Sequence, residues 1–312
     1  MVCCAWMYWI GVATTCYFAA KLLAFIHQYW VMRTPISKFK KAGQWAVVTG
    51  ASDGIGKAMS VELGRRGFNV CLVSRTKSKL DEAAALVTEK SGVQTKTIAF
   101  DFSTAGDAEY SRLFKELDQI EVGVLINNVG INYAYPEDID AAELALDMNI
   151  IKVNCEAQVR MTRYVVPRMK AKKSGAILNL SSISCCAPTP LLSIYAATKS
   201  FNKAYSESLA VELKPFGIAV TAVTPAFVCS NMSGRKKPTF DCPSAPAMAA
   251  NTLNQLGGVA TTFGHRHHGI IGAVLTSLPA FIRDPQILKA NKTVRVKAIK
   301  KAEREKAAKA AQ

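Results

Sequence analysis

Between residues 43 and 285, short runs of β-branched and apolar residues alternate with longer stretches of helical periodicity, and few folds accept that order. The runs are Trp45 to Thr49, Phe68 to Ser74, Thr95 to Phe100, Val122 to Ile126, Ala176 to Leu180 and Ile218 to Val223. Helical patterns such as Ile55 to Arg66, Ala141 to Lys170 and Tyr195 to Leu213 fall between them. Strands joined through helices run parallel, because a parallel neighbour needs a long crossover and a helix supplies it. The order predicts a single α/β domain over 43–285, a doubly wound, Rossmann-like parallel sheet covered by helices on both faces. Half of the 312 residues are apolar, enough to fill such a core.

Upstream, Ala5 to Met32 is almost continuously apolar and aromatic, interrupted by Lys21 and the His27-Gln28 pair. As a helix it is long enough to cross a bilayer, and Trp6, Trp9, Tyr29 and Trp30 stand towards its ends in the manner of an aromatic belt. A signal peptide carries its positive charge first; here Arg33, Lys38, Lys40 and Lys41 follow the apolar run and nothing basic precedes Lys21. Residues 1–32 are therefore read as a transmembrane or membrane-embedded anchor, 33–42 as a basic linker, and everything beyond as cytosolic. The nine cysteines show no Cys-x-x-Cys spacing; Cys3/Cys4 and Cys185/Cys186 are neighbours, as suits reduced thiols rather than a disulfide framework.

Much of the formal charge of +16 sits in a basic tail, 286–312, where nine basic residues from Lys289 to Lys309 face Glu303 and Glu305. No nucleic-acid-binding signature accompanies it, so the charge points to an anionic membrane surface or ligand and not to nucleic acid. Gly269 to Ile282 is a second apolar stretch, either a core helix or a membrane-associated or acyl-chain-lining segment. His265-Arg266-His267-His268 precedes it without a carboxylate or cysteine at ligand spacing; it reads as a solvated or headgroup-facing patch, and no metal site is expected.

Thr49-Gly50-Ala51-Ser52-Asp53-Gly54-Ile55-Gly56 follows the first run and enters a helical pattern directly. Glycines at such a turn allow positive φ and close approach, and a helix N-terminus offers unpaired N–H groups to a pyrophosphate. Gly50, Ser52, Asp53, Gly54, Ile55 and Gly56 are the dinucleotide candidates. The second run ends in Ser74-Arg75-Thr76, where an NAD enzyme usually places an acidic residue; Arg75 suits the 2′-phosphate of NADPH, or is a solvated surface arginine. Asp101 is a candidate for the adenine amine or a cap. In Asn127-Asn128-Val129-Gly130 the Asn128 amide can brace the sheet edge and Gly130 can admit the cofactor.

Tyr195 and Lys199 stand four apart at the start of a helical pattern and share a face. A free tyrosine, with pKa about 10, is a poor acid near neutrality; a neighbouring ammonium lowers that value. Ser182, ending the fifth run, can orient a carbonyl by hydrogen bonding.

Taken in order, Thr49 to Gly56, Asn127 to Gly130, Asn154, Ser182, Tyr195 and Lys199 resemble the short-chain dehydrogenase/reductase family over residues 43 to 230. The resemblance implies that Tyr195 protonates the substrate oxygen, Lys199 also holds the nicotinamide ribose, Ser182 steadies the carbonyl and Asn154 supports a proton relay. It adds Val228 to the cofactor contacts, although Pro225-Ala226 replaces the usual Pro-Gly. A narrower likeness, to membrane-bound very-long-chain 3-oxoacyl-CoA reductases and related 17β-hydroxysteroid dehydrogenases, rests on Ser52 to Lys57, Pro188 to Lys199 and Arg235-Lys236-Lys237-Pro238-Thr239. It implies NADPH-dependent reduction of a long- or very-long-chain 3-oxoacyl-CoA in fatty-acid elongation at the endoplasmic reticulum membrane, with elongation-complex partners and a homodimer as open expectations. A steroid or other lipid ketone is the alternative substrate, and an idle membrane scaffold the alternative class. Lys172, Lys173, Arg235, Lys236 and Lys237 are candidates for the anionic CoA, or belong to a solvated basic face.

Overall fold

The structure, a computed structural model, describes residues 2–310, without the side chains of 2–5, 302 and 305–310. The side chains of Cys3, Cys4, Glu305, Lys306 and Lys309 therefore lie outside what is described. Its centre is a seven-stranded parallel sheet in the order β3-β2-β1-β4-β5-β6-β7. The strands are β1 (Trp45–Thr49), β2 (Asn69–Ser74), β3 (Thr95–Ala99), β4 (Val122–Asn127), β5 (Gly175–Leu180), β6 (Ile218–Val223) and β7 (Thr261–Thr262). Six match the sequence runs to within a residue at each end. They were legible because both sheet faces are covered, so each strand reads as an unbroken apolar run.

Successive side chains of β1 enter opposite cores: Ala46 and Val48 pack with Met59, Leu63 and Leu80, whereas Val47 packs with Leu125, Met161 and Val165. The first core holds α2 (Gly54–Arg65), α3 (Lys77–Ser91) and α8 (Ala245–Gln255); the second holds α4 (Asp107–Leu117), α6 (Ala157–Lys172) and the end of α7 (Ser193–Leu213). Strand order reverses between β1 and β4, and open α/β sheets bind ligands at the carboxyl ends of strands around such a point.

Several expectations need correction. The helix expected over Ala141 to Lys170 is α5 (Leu144–Ile151), a π-turn (Lys152–Glu156) and then α6. Gly269 to Ile282 is not one helix: α9 (Arg266–Ser277) ends at Leu278-Pro279 and α10 (Ala280–Ala310) begins beyond, so residue 285 falls inside α10. The inner edge of α9, at His268, Gly269 and Gly272, is buried, while Ile270 and Val274, and Phe281 at the start of α10, are exposed.

The histidines are not a solvated patch, since His265 and His268 are buried and burial pushes His265 down to about 4. Nor does Tyr29 sit in an aromatic belt. It is buried against Phe25 and Gly269, and its hydroxyl accepts the Phe263 N–H at 3.1 Å. Trp6, Trp9 and Trp30 remain exposed. The run Trp6–Val31, following α1 (Val2–Ile26) into a π-turn, has 26 residues, is apolar enough to cross a bilayer, and has none of its apolar window covered by protein. It is a candidate anchor, joined to the domain through Tyr29 and a Gln28–Gln255 hydrogen bond of 3.1 Å.

Candidate active site

The turn after β1 folds as its glycines require. Gly50 and Gly54 lie at φ +65° and +54°, where other residues are strained, and a Cβ at Gly56 would stand 2.3 Å from the Gly50 carbonyl oxygen. The start of α2 can therefore press against the turn. Asn128 completes the bracing: its Nδ2 donates to the Thr49 and Gly50 carbonyls at 2.9 and 3.1 Å. Thr49 Oγ1 returns the tie by accepting the Asn128 and Val129 N–H groups at 3.0 and 3.1 Å. Asn127 belongs to the scaffold, buried and donating to Asn179 Oδ1 at 2.8 Å.

The residues at this turn fit a dinucleotide pyrophosphate. Asp53 at the N-cap of α2 makes no side-chain cap, so the first N–H groups of the helix remain available beside close-packed glycines. Ser52 and Ser74 hydroxyls stand 3.0 Å apart above the β1 and β2 ends. Arg75 is exposed, its Nη1 3.9 Å from Asp101 Oδ2. Asp101 is less free than the sequence suggested. Its Oδ1 accepts from the Ser103 N–H and hydroxyl at 2.9 and 2.6 Å, and these bonds, with Arg75 nearby, outweigh partial burial to hold its pKa low. Ile55 packs against the core. The Val228 side chain is core too, and its carbonyl accepts from the Ser230 and Ser233 hydroxyls at 3.2 and 2.6 Å.

The four expected catalytic residues come together through the backbone. Asn154 lies on the π-turn, which re-aims one residue of an otherwise α-helical run. Its Oδ1 accepts the Ile131 N–H at 2.8 Å, and its Nδ2 donates to the Ile131 carbonyl and Thr198 Oγ1, both at 3.0 Å. Thr198 in turn donates to the Tyr195 carbonyl at 2.7 Å. A Cβ at Gly130 would lie 3.2 Å from both Asn154 Oδ1 and Lys199 Nζ, so the glycine opens the space where these polar groups converge. Lys199 is buried, donates to the Leu180 carbonyl at 3.1 Å, and is pushed down to about 8 by burial. Burial pushes Tyr195 up, partly offset by the Ser182 hydroxyl. Ser182 Oγ accepts the Ser184 N–H at 3.2 Å.

This set can place a proton donor and a hydroxyl on one carbonyl oxygen, with a buried cation behind the donor. A separate cavity of about 1270 Å³ along α5 and α6 is lined by neither Ser182, Tyr195 nor Lys199. Among the described residues, no three His, Cys, Asp or Glu side chains converge as a metal site.

Sequence reasoning missed His268. Its Nδ1 accepts the Ala226 N–H at 3.3 Å and its Nε2 stands 3.0 Å from the Phe227 carbonyl, so one buried ring pins the segment after β6. No spacing rule foretells a contact made across the fold. The start of the basic tail also packs on the domain. In α10, Asn291 Nδ2 donates to the Pro190 carbonyl at 2.8 Å, and Arg295 pairs with Glu137 at 2.6 Å and with Asp138. The helix thus ties the loop before Tyr195 to the loop after β4. Arg295→Ala is expected to speed amide exchange in α10 about fivefold, the scale of a partly exposed ion pair, while leaving cofactor affinity unchanged. Unchanged exchange would mean the pairs hold nothing.

Comparison with known proteins agrees with these features. The short chain dehydrogenase family profile matches residues 44–240. The chain is 38% identical over 307 residues to the very-long-chain 3-oxoacyl-CoA reductase of Anas platyrhynchos, covering 96% of this chain and 98% of that one. It is 36% identical over 300 residues to the Homo sapiens protein of the same name, covering 95% and 96%. Among solved structures, a short-chain dehydrogenase from Sphingobium yanoikuyae in complex with NADPH aligns at TM-score 0.61 and 30% identity, covering 68% of this chain and 83% of that one.

Proposed function

Because the chain belongs to the short chain dehydrogenase family and is an oxidoreductase using a nicotinamide cofactor, we propose that it reduces long- or very-long-chain 3-oxoacyl-CoA to 3-hydroxyacyl-CoA with NADPH. One observation carries the substrate class. The similarity to reductases of that name spans 96% of the chain, well beyond the family core at 44–240. The candidate anchor beside a lipid substrate supports the same reading, with residues 1–32 in the endoplasmic reticulum membrane and the domain from 43 onward facing the cytosol.

In this reading the turn from Gly50 to Gly56, with Asn128 bracing it, holds the pyrophosphate, and Arg75 holds the 2′-phosphate. When bound, the nicotinamide supplies hydride to the substrate carbonyl carbon. Ser182 donates a hydrogen bond to the carbonyl oxygen and fixes its direction. Tyr195 delivers a proton to that oxygen as negative charge grows on it. Lys199 supplies the positive charge that stabilises the phenolate left behind, and Asn154, held by Ile131 and Thr198, keeps the helix face and its proton path in place.

The test is NADPH oxidation by the detergent-solubilised full chain with a long-chain 3-oxoacyl-CoA, beside a steroid ketone. Turnover of the CoA ester is the expected result. Turnover of the steroid alone would replace the substrate while keeping the site.

A further inference from the structure

We propose that Cys229 and Cys242 form a reversible oxidation site, at which a low-molecular-weight disulfide such as oxidised glutathione joins the two thiols and staples the loop 230–241 beside the dinucleotide turn. Both are free thiols, with their sulfurs 3.6 Å apart. The backbone fixes that approach. The Cys229 N–H donates to the Pro243 carbonyl at 3.0 Å, and Thr239 and Cys242 exchange hydrogen bonds of 3.0 and 3.2 Å. The thiols therefore face each other across the neck of the loop, and the proposed bridge closes their 3.6 Å separation to a bonding distance of about 2.05 Å.

The pair is asymmetric in the way a thiol exchange needs. Cys229 is half-buried and lines a cavity of about 540 Å³ with Gly54, Lys57, Arg235 and Lys236, which a small anionic disulfide can enter. Cys242 is fully buried and burial pushes its thiol up to about 11, so it does not react first with a solute. Cys229 as thiolate attacks one sulfur of oxidised glutathione, breaking its S–S bond and releasing one glutathione thiolate. Cys242, giving its proton to solvent, then attacks the Cys229 sulfur and releases the second. The two protein thiols are oxidised and one glutathione disulfide is reduced to two thiols.

The other close pair, Cys185 and Cys186, also has sulfurs 3.6 Å apart, but its members adjoin in sequence. Consecutive Cα atoms stand about 3.8 Å apart, below the 4.4–6.8 Å usual for a bridge. That pair is disfavoured, and it provides an internal control. The staple acts on the site because the loop rests on the turn: a Cβ at Gly54 would lie 3.1 Å from Ser230 Cβ. The same loop carries Arg235, paired with Asp241 and stacked on Phe227, and the cations Lys236 and Lys237.

The full chain in detergent is equilibrated in glutathione buffers from reducing to oxidising, remaining thiols are alkylated, and peptides are mapped without reductant. A Cys229–Cys242 cross-link is expected, reversed by dithiothreitol and absent in Cys229→Ser; Cys242→Ser is expected to hold glutathione on Cys229 instead. Amide exchange across 230–241 slows about tenfold on oxidation of the wild type and is unaffected in Cys229→Ser. The proposal is overturned if both sulfurs stay alkylatable in the oxidising buffers, or if the wild type stops at the mixed disulfide or cross-links Cys185 to Cys186.

Discussion

Tyr195→Phe is expected to lower the reductive turnover number about a thousandfold, the scale of a lost general acid, while cofactor affinity stays within about twofold of the parent. The ring and its packing survive the change, and only the hydroxyl that gives up the proton is removed. Burial already holds the Tyr195 pKa above its ordinary value, so at neutral pH the hydroxyl keeps its proton and is a donor in the direction of reduction. By helical spacing, its neighbour Lys199 is expected to lower that pKa by charge. In the structure Lys199 Nζ lies 5.6 Å from the ring centroid and donates to the Leu180 carbonyl, and burial sets the direction of the Tyr195 shift, offset in part by the Ser182 hydroxyl.

A pH dependence follows from the lysine. Burial brings Lys199 down to about 8, so it is charged below that value and loses its proton as pH rises through it. Stabilisation of the developing phenolate disappears with the charge, and the parent rate is expected to fall from pH 7 to pH 9. Stopped-flow measurement of cofactor oxidation under single-turnover conditions separates this from binding. A rate that is flat across the interval, or a Tyr195→Phe variant within tenfold of the parent, would remove Tyr195 and Lys199 from the proposed roles.

The parts of this site that local chemistry dictates were legible in the sequence. The turn at Gly50 to Gly56 needs glycine by φ and by close contact, and Tyr195 and Lys199 share a face by helical period alone. Parallel strands buried on both sides announce themselves as apolar runs, which is why six strands were placed to within a residue at each end. What escaped depends on contacts between distant segments. β7 is two residues long, Thr261 and Thr262, and exists because β6 offers it an edge. The π-turn at Asn154 leaves no periodic trace in five residues. His265 and His268 look hydrophilic in sequence, yet they are buried because the fold offers His268 the Ala226 N–H and the Phe227 carbonyl as partners. Tyr29 turned inward for the same reason, its hydroxyl meeting the Phe263 N–H. The basic tail read as charge for an anionic surface or ligand, and no local pattern foretold that its Arg295 pairs with Glu137 and Asp138 across the fold.

Cofactor choice gives the second large effect. Arg75→Glu is expected to reduce kcat/KM with NADPH about a hundredfold and to leave kcat/KM with NADH equal or higher. The position explains the selectivity. Arg75 follows the last residue of β2, beside Ser74, whose hydroxyl meets that of Ser52 on the dinucleotide turn at 3.0 Å. A ribose seated on that turn puts its 2′ substituent towards this strand end, where a guanidinium pairs with phosphate and a carboxylate repels it but accepts from a hydroxyl. Losing a charge-assisted pair costs about 1.5–3 kcal/mol, and introduced repulsion adds to it, which together give the stated factor. Arg75 is not held rigidly in advance: its side chain is 73% exposed, and the contact to Asp101 at 3.9 Å is long for an ion pair. In the proposed pose Asp101 would compete with the phosphate for the same guanidinium. Asp101→Asn keeps the bonds to Ser103 within reach and removes the competing charge, so NADPH affinity should rise while NADH affinity does not move. Titration of both variants with both cofactors separates the outcomes. Equal losses with NADPH and NADH in Arg75→Glu would show damage to the turn, and no loss with either would make Arg75 a solvated surface residue with no part in cofactor choice.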